Sequence, residues 1–162
     1  MARLSGISAN LNAFLDLIAF SEGTSGIPGS DDGYKVIVGS TPRAPMLMTD
    51  YNGHPRRKVF IPSLGVWSTA AGRYQLIART WDVCQKALKL ADFSPESQDK
   101  AAVFLIQGRK ALEDVGAGRI ADAIMKCGRE WASFPGNTYG QHPHAIEGLV
   151  SVYKTLGGTI RN

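Results

Sequence analysis

The sequence predicts an α+β fold, with a small antiparallel β lobe packed beside a larger helical lobe and a cleft between them. Three observations point there. Helical periodicity opens the chain, resumes near residue 69 and continues to the end. A stretch rich in Gly, Pro, Ser and Thr, with short β-branched runs, lies between the two helical regions. Strands and helices are therefore segregated along the chain rather than alternating, which favours α+β over a wound α/β sheet. The 162 residues suit one domain with a real core. The expected domain spans 1–162, with the β lobe at about 24–67 and the helical lobe at about 8–23 and 68–162.

The first helix is expected over 10–22, where Leu11, Phe14, Leu15 and Ile18 follow the i, i+3, i+4, i+7 pattern. Asn10 or Ser8 caps its start and Gly23 lies just past its end. In the β lobe, Val36-Ile37-Val38 and Val59-Phe60-Ile61 read as strands among two or three short antiparallel ones. The second helix is expected from Ser68-Thr69 onward, with Tyr74, Ile77, Ala78, Trp81 and Leu88 as its apolar stripe. Ser94-Pro95-Glu96 reads as a helix start: cap, proline, then an acid near the positive dipole end. Helices follow at roughly 95–107, 109–115 and 119–127, with a short one near 129–133. The last runs from about 143 to 156, ended by Gly157-Gly158.

Composition narrows the function classes. Hydrophobic residues make up 44% and charged residues 20%, as in an ordinary soluble globular chain, so extensive disorder is not expected. No apolar run approaches the ~18–20 residues of a membrane span, so stable membrane insertion is not expected. The first residues soon reach Asn12 and Asp16 and lack the apolar region and cleavage site of a signal peptide. A target outside the cytoplasm would then need another way out. The net charge of +4 suits an anionic partner such as an acidic cell wall, or simply a solubilising surface. The basic residues are scattered, with Arg56-Arg57-Lys58 the densest cluster, and no nucleic-acid motif accompanies them. Cys84 and Cys127 form no CxxC motif and read as buried thiols. His54, His142 and His144 have poor ligand spacing, so neither a metal nor a cofactor is expected, and the protein is expected to be a monomer.

Glu22 is the acid that stands out. It lies eleven residues after Leu11, about three helical turns, on the face that should be buried. It also lies at the negative end of the helix dipole. Desolvation and the dipole both disfavour a carboxylate and raise its pKa. An acid held protonated near neutral pH is what a glycosidic oxygen needs for general-acid cleavage. Periodicity alone favours a frayed helix end with Glu22 turned to solvent, since one glutamate before a glycine is a weak signal.

Phe20-Ser21-Glu22-Gly23-Thr24 resembles the catalytic segment of the lambda phage endolysin family. The likeness continues through Gly33-Tyr34 with Val36-Ile37-Val38-Gly39, Thr49-Asp50-Tyr51, His54-Pro55-Arg56 and Ala71-Gly72-Arg73-Tyr74-Gln75-Leu76. It resumes at Asp92-Phe93-Ser94-Pro95, Ser97-Gln98-Asp99, Trp131-Ala132-Ser133, Tyr139-Gly140-Gln141 and Gly157-Gly158-Thr159. The ordered set covers nearly the whole chain. The resemblance implies a lysozyme-like fold and a lytic transglycosylase acting on peptidoglycan glycan strands. It would cut the MurNAc–GlcNAc β-1,4 bond, form 1,6-anhydromuramic acid and so lyse the host. It also implies release from the host cytoplasm through a holin pore, with action in the periplasm. Lys35, where the lambda protein has an acid, and a longer Ser40–Met48 loop depart from the pattern.

The resemblance makes Glu22 the catalytic residue and names further candidates for substrate binding. Gln75, expected in the early turns of the second helix, would offer an amide to acetamido groups and hydroxyls. Tyr139 would close the site; packing on Trp131 is its other reading. Tyr74 lies on the core stripe, Arg73 would either salt-bridge or meet substrate, and Asp50 and Tyr51 would line the lower cleft. The alternative chemistry is a hydrolytic muramidase using Glu22 with Asp31 or Asp50. Asp31 lies nine residues after Glu22, the spacing of another phage lysozyme type, but Ile37 stands where that type carries threonine. Asp31-Asp32-Gly33 also reads as a turn.

Overall fold

A computed structural model describes residues 1–136 and 144–161. The elements in chain order are α1 (Ala9–Ser21), β1 (Val59–Ile61), β2 (Val66–Ser68), α2 (Ala78–Leu88), α3 (Pro95–Gly108), α4 (Leu112–Ala117), α5 (Ile120–Cys127) and α6 (Ile146–Thr155). The architecture is α+β, as the sequence predicts. The chain forms two compact units: Met1–Glu22 together with the chain from Ala102 onward, and Gly23–Ala101. The second unit thus runs well past residue 67, the expected edge of the β lobe, and takes in α2 and the start of α3. None of the described helices is long and apolar enough to cross a membrane.

In the first unit, α1 packs against α4 and α6, and α5 packs against both of those helices. Ser8 caps α1 by accepting a hydrogen bond from the Leu11 backbone N–H at 3.2 Å. The periodicity led us to expect one buried stripe, but α1 is buried on nearly every side. Ala13, Phe14, Leu15, Leu17, Ile18 and Ala19 have no exposed surface. Asp16 is buried among them and accepts from the Ala2 N–H at 2.7 Å, so α1 runs through the core with that acid hydrogen-bonded. The loop after α5 closes over it: Trp131 and Phe134 are buried, with ring centroids 6.3 Å apart, and Phe134 lies 6.0 Å from Phe14. The helix expected near 129–133 is instead a run of turns, closed by Trp131 N–H to Cys127 O and Phe134 N–H to Trp131 O.

In the second unit, β1 and β2 form one antiparallel hairpin in register Val59↔Ser68, Phe60↔Trp67 and Ile61↔Val66. Val36 and Ile37 make single bridges, to Leu47 and Ala71, rather than a strand. Cys84 and Cys127, one in each unit, are buried thiols, and burial pushes the Cys127 thiol up to about 12.

The largest departure concerns residues 69–77, which we expected to open the second helix. They form a tight reversal closed by an Ala71↔Leu76 bridge, and α2 begins only at Ala78. The reason is backbone conformation: Gly72 (φ +78°) and Gln75 (φ +48°) are both left-handed, which no α-helix interior accommodates. Thr69 Oγ1 then accepts from the Ala78 N–H at 3.0 Å, capping α2 from outside the helix. The Gly72 turn is pinned by Gln98, which has no exposed surface. Gln98 Oε1 accepts from the Arg73 N–H at 2.9 Å, and its Nε2 donates to the carbonyls of Tyr34 (3.0 Å) and Phe93 (2.8 Å). A Cβ on Gly72 would stand 2.2 Å from Gln98 Oε1. Gly72→Ala therefore meets both a left-handed strain and a clash, and urea unfolding should show a loss of roughly 2–3 kcal/mol.

Candidate active site

Glu22 occupies the C-cap of α1 in right-handed conformation (φ −76°, ψ −7°), with its backbone N–H directed to the carbonyls of Ile18 and Phe20. Gly23 follows with φ +70°, the left-handed step that ends a helix cheaply only at glycine. The frayed alternative is thereby replaced by a capped end. The side chain is only partly exposed. Its Oε1 accepts from the Ser133 hydroxyl at 2.5 Å. Ser133 sits between Trp131 and Phe134, so the aromatic anchors of the loop fix where its hydroxyl stands.

Desolvation dominates the electrostatics. Burial pushes the Glu22 carboxyl up from 4.5 to about 7, against the opposite pull of hydrogen bonds from the Ser133 hydroxyl and backbone. The position at the α1 C-terminus adds to the upward push, because the dipole there is negative. Ser21, the last residue of α1, donates from Oγ to Ile18 O at 2.9 Å. His144 places Nε2 3.3 Å from the Ser21 carbonyl, and its ring lies 5.9 Å from Phe20. Tyr139 and His142 lie outside the described residues.

The other candidates lie in the second unit. Tyr74 is completely buried, and Arg73 retains 1% exposure, so neither presents a side chain to a sugar. The Tyr74 hydroxyl donates to Asp99 Oδ1 at 2.6 Å, and the Tyr34 hydroxyl donates to the same oxygen at 2.7 Å. The two tyrosine rings meet edge to face at 6.5 Å. Burial and the nearby Asp99 charge push both phenols upward, so they remain donors. Arg73 pairs with Asp32 Oδ1 at 2.9 Å, donates to the Asp32 carbonyl and lies over the Tyr34 ring at 5.2 Å. Of the two readings of Arg73, the salt bridge is the one observed. The substrate reading of Tyr74 gives way to a buried hydrogen-bonded role, for the simple reason that no surface is left.

Gln75 is half-buried and donates from Nε2 to the Gly72 carbonyl at 2.9 Å. It stands in the reversal before α2, not in the helix where we expected it. Tyr51 donates to Asp31 Oδ2 at 2.5 Å, with Lys35 Nζ 5.5 Å from its ring centroid. Asp50 is exposed and folds onto its own backbone: it accepts from the Asn52 N–H at 2.9 Å and from Thr49 Oγ1 at 3.2 Å. Asp31, Asp32 and Gly33 are all left-handed, at φ +55°, +58° and +92°, so the expected turn is present. Gly33 N–H donates to Ser30 Oγ at 2.9 Å, which holds it. Ser21, Ser133, Gln98 and Asp99 had no role assigned from the sequence. Their only signal was membership of the ordered motif set, which marks a position without saying what it touches.

A partly enclosed carboxyl raised to about 7 and held at a helix end is a group suited to general acid–base chemistry. A family model described as Endolysin matches residues 12–160. The endolysin of Escherichia phage P2 is 48% identical over 155 residues, covering 92% of this chain and 93% of that protein. The endolysin of Escherichia phage lambda is 46% identical over 158 residues, covering 96% of each. Bacteriophage lambda lysozyme, solved in complex with a chitohexasaccharide, superposes with a TM-score of 0.89 at 44% identity, covering 98% of this chain and 100% of that one. Another structure of the lambda lysozyme gives 0.85 at 43% identity. The chain belongs to the Endolysin family, phage enzymes with a lysozyme-like fold that lyse the bacterial cell wall.

Two outcomes follow from this geometry. In the unfolded chain the Glu22 carboxyl titrates near 4.5, and in the folded chain near 7. Folding therefore favours the protonated acid, and its contribution is full below the unfolded value and lost as pH rises through about 7. Glu22→Gln removes that loss. Its gain in unfolding free energy should be about 2 kcal/mol larger at about pH 8 than at about pH 5, read by denaturant titration, while lysis falls at least ~100-fold. Tyr74→Phe should cost about 1–2 kcal/mol in unfolding free energy by removing a donor from buried Asp99, with KM for cell walls unchanged.

Proposed function

We propose that this endolysin is a lytic transglycosylase that cuts the MurNAc–GlcNAc β-1,4 bond of peptidoglycan with Glu22 as its single acid and base. The observation that carries this reading is the Glu22 carboxyl, pushed to about 7 by burial and held by Ser133. In the first step protonated Glu22 gives its proton to the glycosidic oxygen, and the C1–O bond breaks. Positive charge develops at C1, where the substrate's own acetamido oxygen supports it. In the second step the Glu22 carboxylate takes the proton from the C6 hydroxyl of the same muramic residue, whose oxygen bonds to C1. The product is a 1,6-anhydro ring, no water is consumed, and Glu22 ends protonated as it began. The nucleophile is tethered to its target, so positioning replaces the activation of a bound water.

The muramidase alternative needs a second carboxylate near the scissile bond. Of its two candidates, Asp31 accepts from the Tyr51 hydroxyl and Asp50 from the Asn52 N–H. Substrate contacts from Gln75, Tyr51 and Tyr139 complete the proposal, and the chitohexasaccharide complex of the lambda lysozyme supports a glycan as the ligand. Mass spectrometry of digested peptidoglycan decides the chemistry. Muropeptides ending in anhydromuramic acid are expected; reducing-end products heavier by one water would establish hydrolysis instead.

A further inference from the structure

Glu22, Ser133 and Ser21 form a chain of oxygens that ends on a backbone carbonyl. Glu22 Oε1 lies 2.5 Å from Ser133 Oγ, Ser133 Oγ lies 3.0 Å from Ser21 Oγ, and Ser21 Oγ lies 2.9 Å from Ile18 O. Counting protons along it shows how it works. A carbonyl only accepts, so the single Ser21 proton is committed to Ile18. Toward Ser133, Ser21 Oγ is therefore an acceptor. Ser133 also has one proton, and two acceptors compete for it: Ser21 Oγ and an ionised Glu22.

The two protonation states of Glu22 resolve that competition in opposite ways. Protonated Glu22 donates to Ser133 Oγ, which then donates to Ser21, which donates to Ile18. Every hydroxyl in the chain is satisfied. When Glu22 loses its proton, the Ser133 hydroxyl turns to the carboxylate and Ser21 Oγ loses its donor. We propose that Ser133 and Ser21 are positioning residues forming a hydroxyl relay that turns with the protonation state of Glu22. The relay rests on the reading of Glu22 as acid and then base.

Such a relay suits a group that must serve both roles in one geometry. Turning a hydroxyl moves a hydrogen and no heavy atom, so the carboxyl keeps its place through both steps. The frame around it is rigid: Ser21 is buried at the end of α1, and Ser133 stands between the buried Trp131 and Phe134. Among the described residues, the titratable group that faces the chain from its far side is His144. It meets the Ser21 carbonyl rather than the hydroxyl, so the proton count is unchanged. The forces acting on Glu22 itself include desolvation, the α1 dipole and the two Ser133 hydrogen bonds.

The relay predicts shifts of opposite sign. Ser133→Ala removes the donor that serves ionised Glu22, so the carboxyl should titrate higher. Ser21→Ala removes the competitor for the Ser133 proton, which then stays on the carboxylate, so Glu22 should titrate lower. NMR of protein carrying carbon-13 at glutamate carboxyls reads this directly, with the Glu22 signal assigned by its loss in Glu22→Gln. Each shift should be about half a unit to one unit. Ser133→Thr, which keeps the hydroxyl, should restore the wild-type midpoint. In lysis assays the basic limb of the pH profile should move with the midpoint, and kcat should fall while KM holds. Shifts of the same sign, or no shift in Ser21→Ala, would overturn the relay, and the latter needs no folded Ser133→Ala protein. Midpoints that move as expected while the lysis limb stays fixed would support the relay and instead remove Glu22 from the acid role.

Discussion

The desolvation of one carboxyl at the end of a buried helix is the constraint on which the rest of this structure depends. An exposed glutamate titrates far below neutral pH and is spent as an acid before it meets a substrate. Here α1 carries no exposed surface along most of its middle, so its C-cap is brought to the edge of the core. The packing of Phe14 on Phe134, and of Phe134 on Trp131, draws in a loop more than a hundred residues away in sequence. That loop both covers Glu22 and supplies its hydrogen bond. The two effects oppose each other, and desolvation wins, which leaves the acid near 7. A fully buried carboxyl without Ser133 would sit higher still and make a poor base. A solvated one would make a poor acid.

The second unit shows a different use of buried polarity. Asp99 has no exposed surface and takes hydrogen bonds from two tyrosines, and Arg73 is buried beside the same Tyr34 ring. Burying such groups is costly unless every partner is in place, so the network admits one arrangement of the Asp31–Gly33 turn, the Gly72 reversal and the start of α3. Gln98 closes it through three backbone contacts. The polar residues of the Gly72–Gln75 segment therefore divide by role. Arg73 and Tyr74 hold the turn, and Gln75 remains at its half-buried rim.

The fold class was legible because it depends on where helical periodicity starts and stops, and five of the helices lie close to their expected ranges. The start of α2 was not legible. Of the expected stripe only Trp81 is buried within α2, Ile77 lies exposed just outside it, and Gly72 and Gln75 adopt left-handed conformations that periodicity cannot register. Nothing in a glutamine's identity announces φ +48°; Gln98 pins the neighbouring Arg73 backbone from across the unit, and Gln75 closes the turn onto the Gly72 carbonyl. Glu22 was singled out through its helical phase and the family likeness, and the phase argument described its setting only in part. A stripe was expected, and the helix is buried all round. The contacts of Ser133 and Asp99 were not legible because their partners lie far away in sequence.

A carboxyl near 7 also bears on why one acid would suffice in the proposed reaction. For a group that must first give a proton and then take one, the free-energy cost of holding either state at neutral pH is smallest when its pKa matches the surroundings. A muramidase divides those duties between two carboxyls with separated pKa values. In the transglycosylase proposed here the substrate brings its own nucleophile, so the proton taken in the second step comes from a hydroxyl already poised at C1. The demand on the enzyme then shifts from activating water to keeping one carboxyl in place while its charge changes. A partner that can both donate and accept meets that demand, and a hydroxyl is the smallest side-chain group able to do so. A lysine or arginine at that position would fix Glu22 as a carboxylate, and an apolar residue would fix it as an acid.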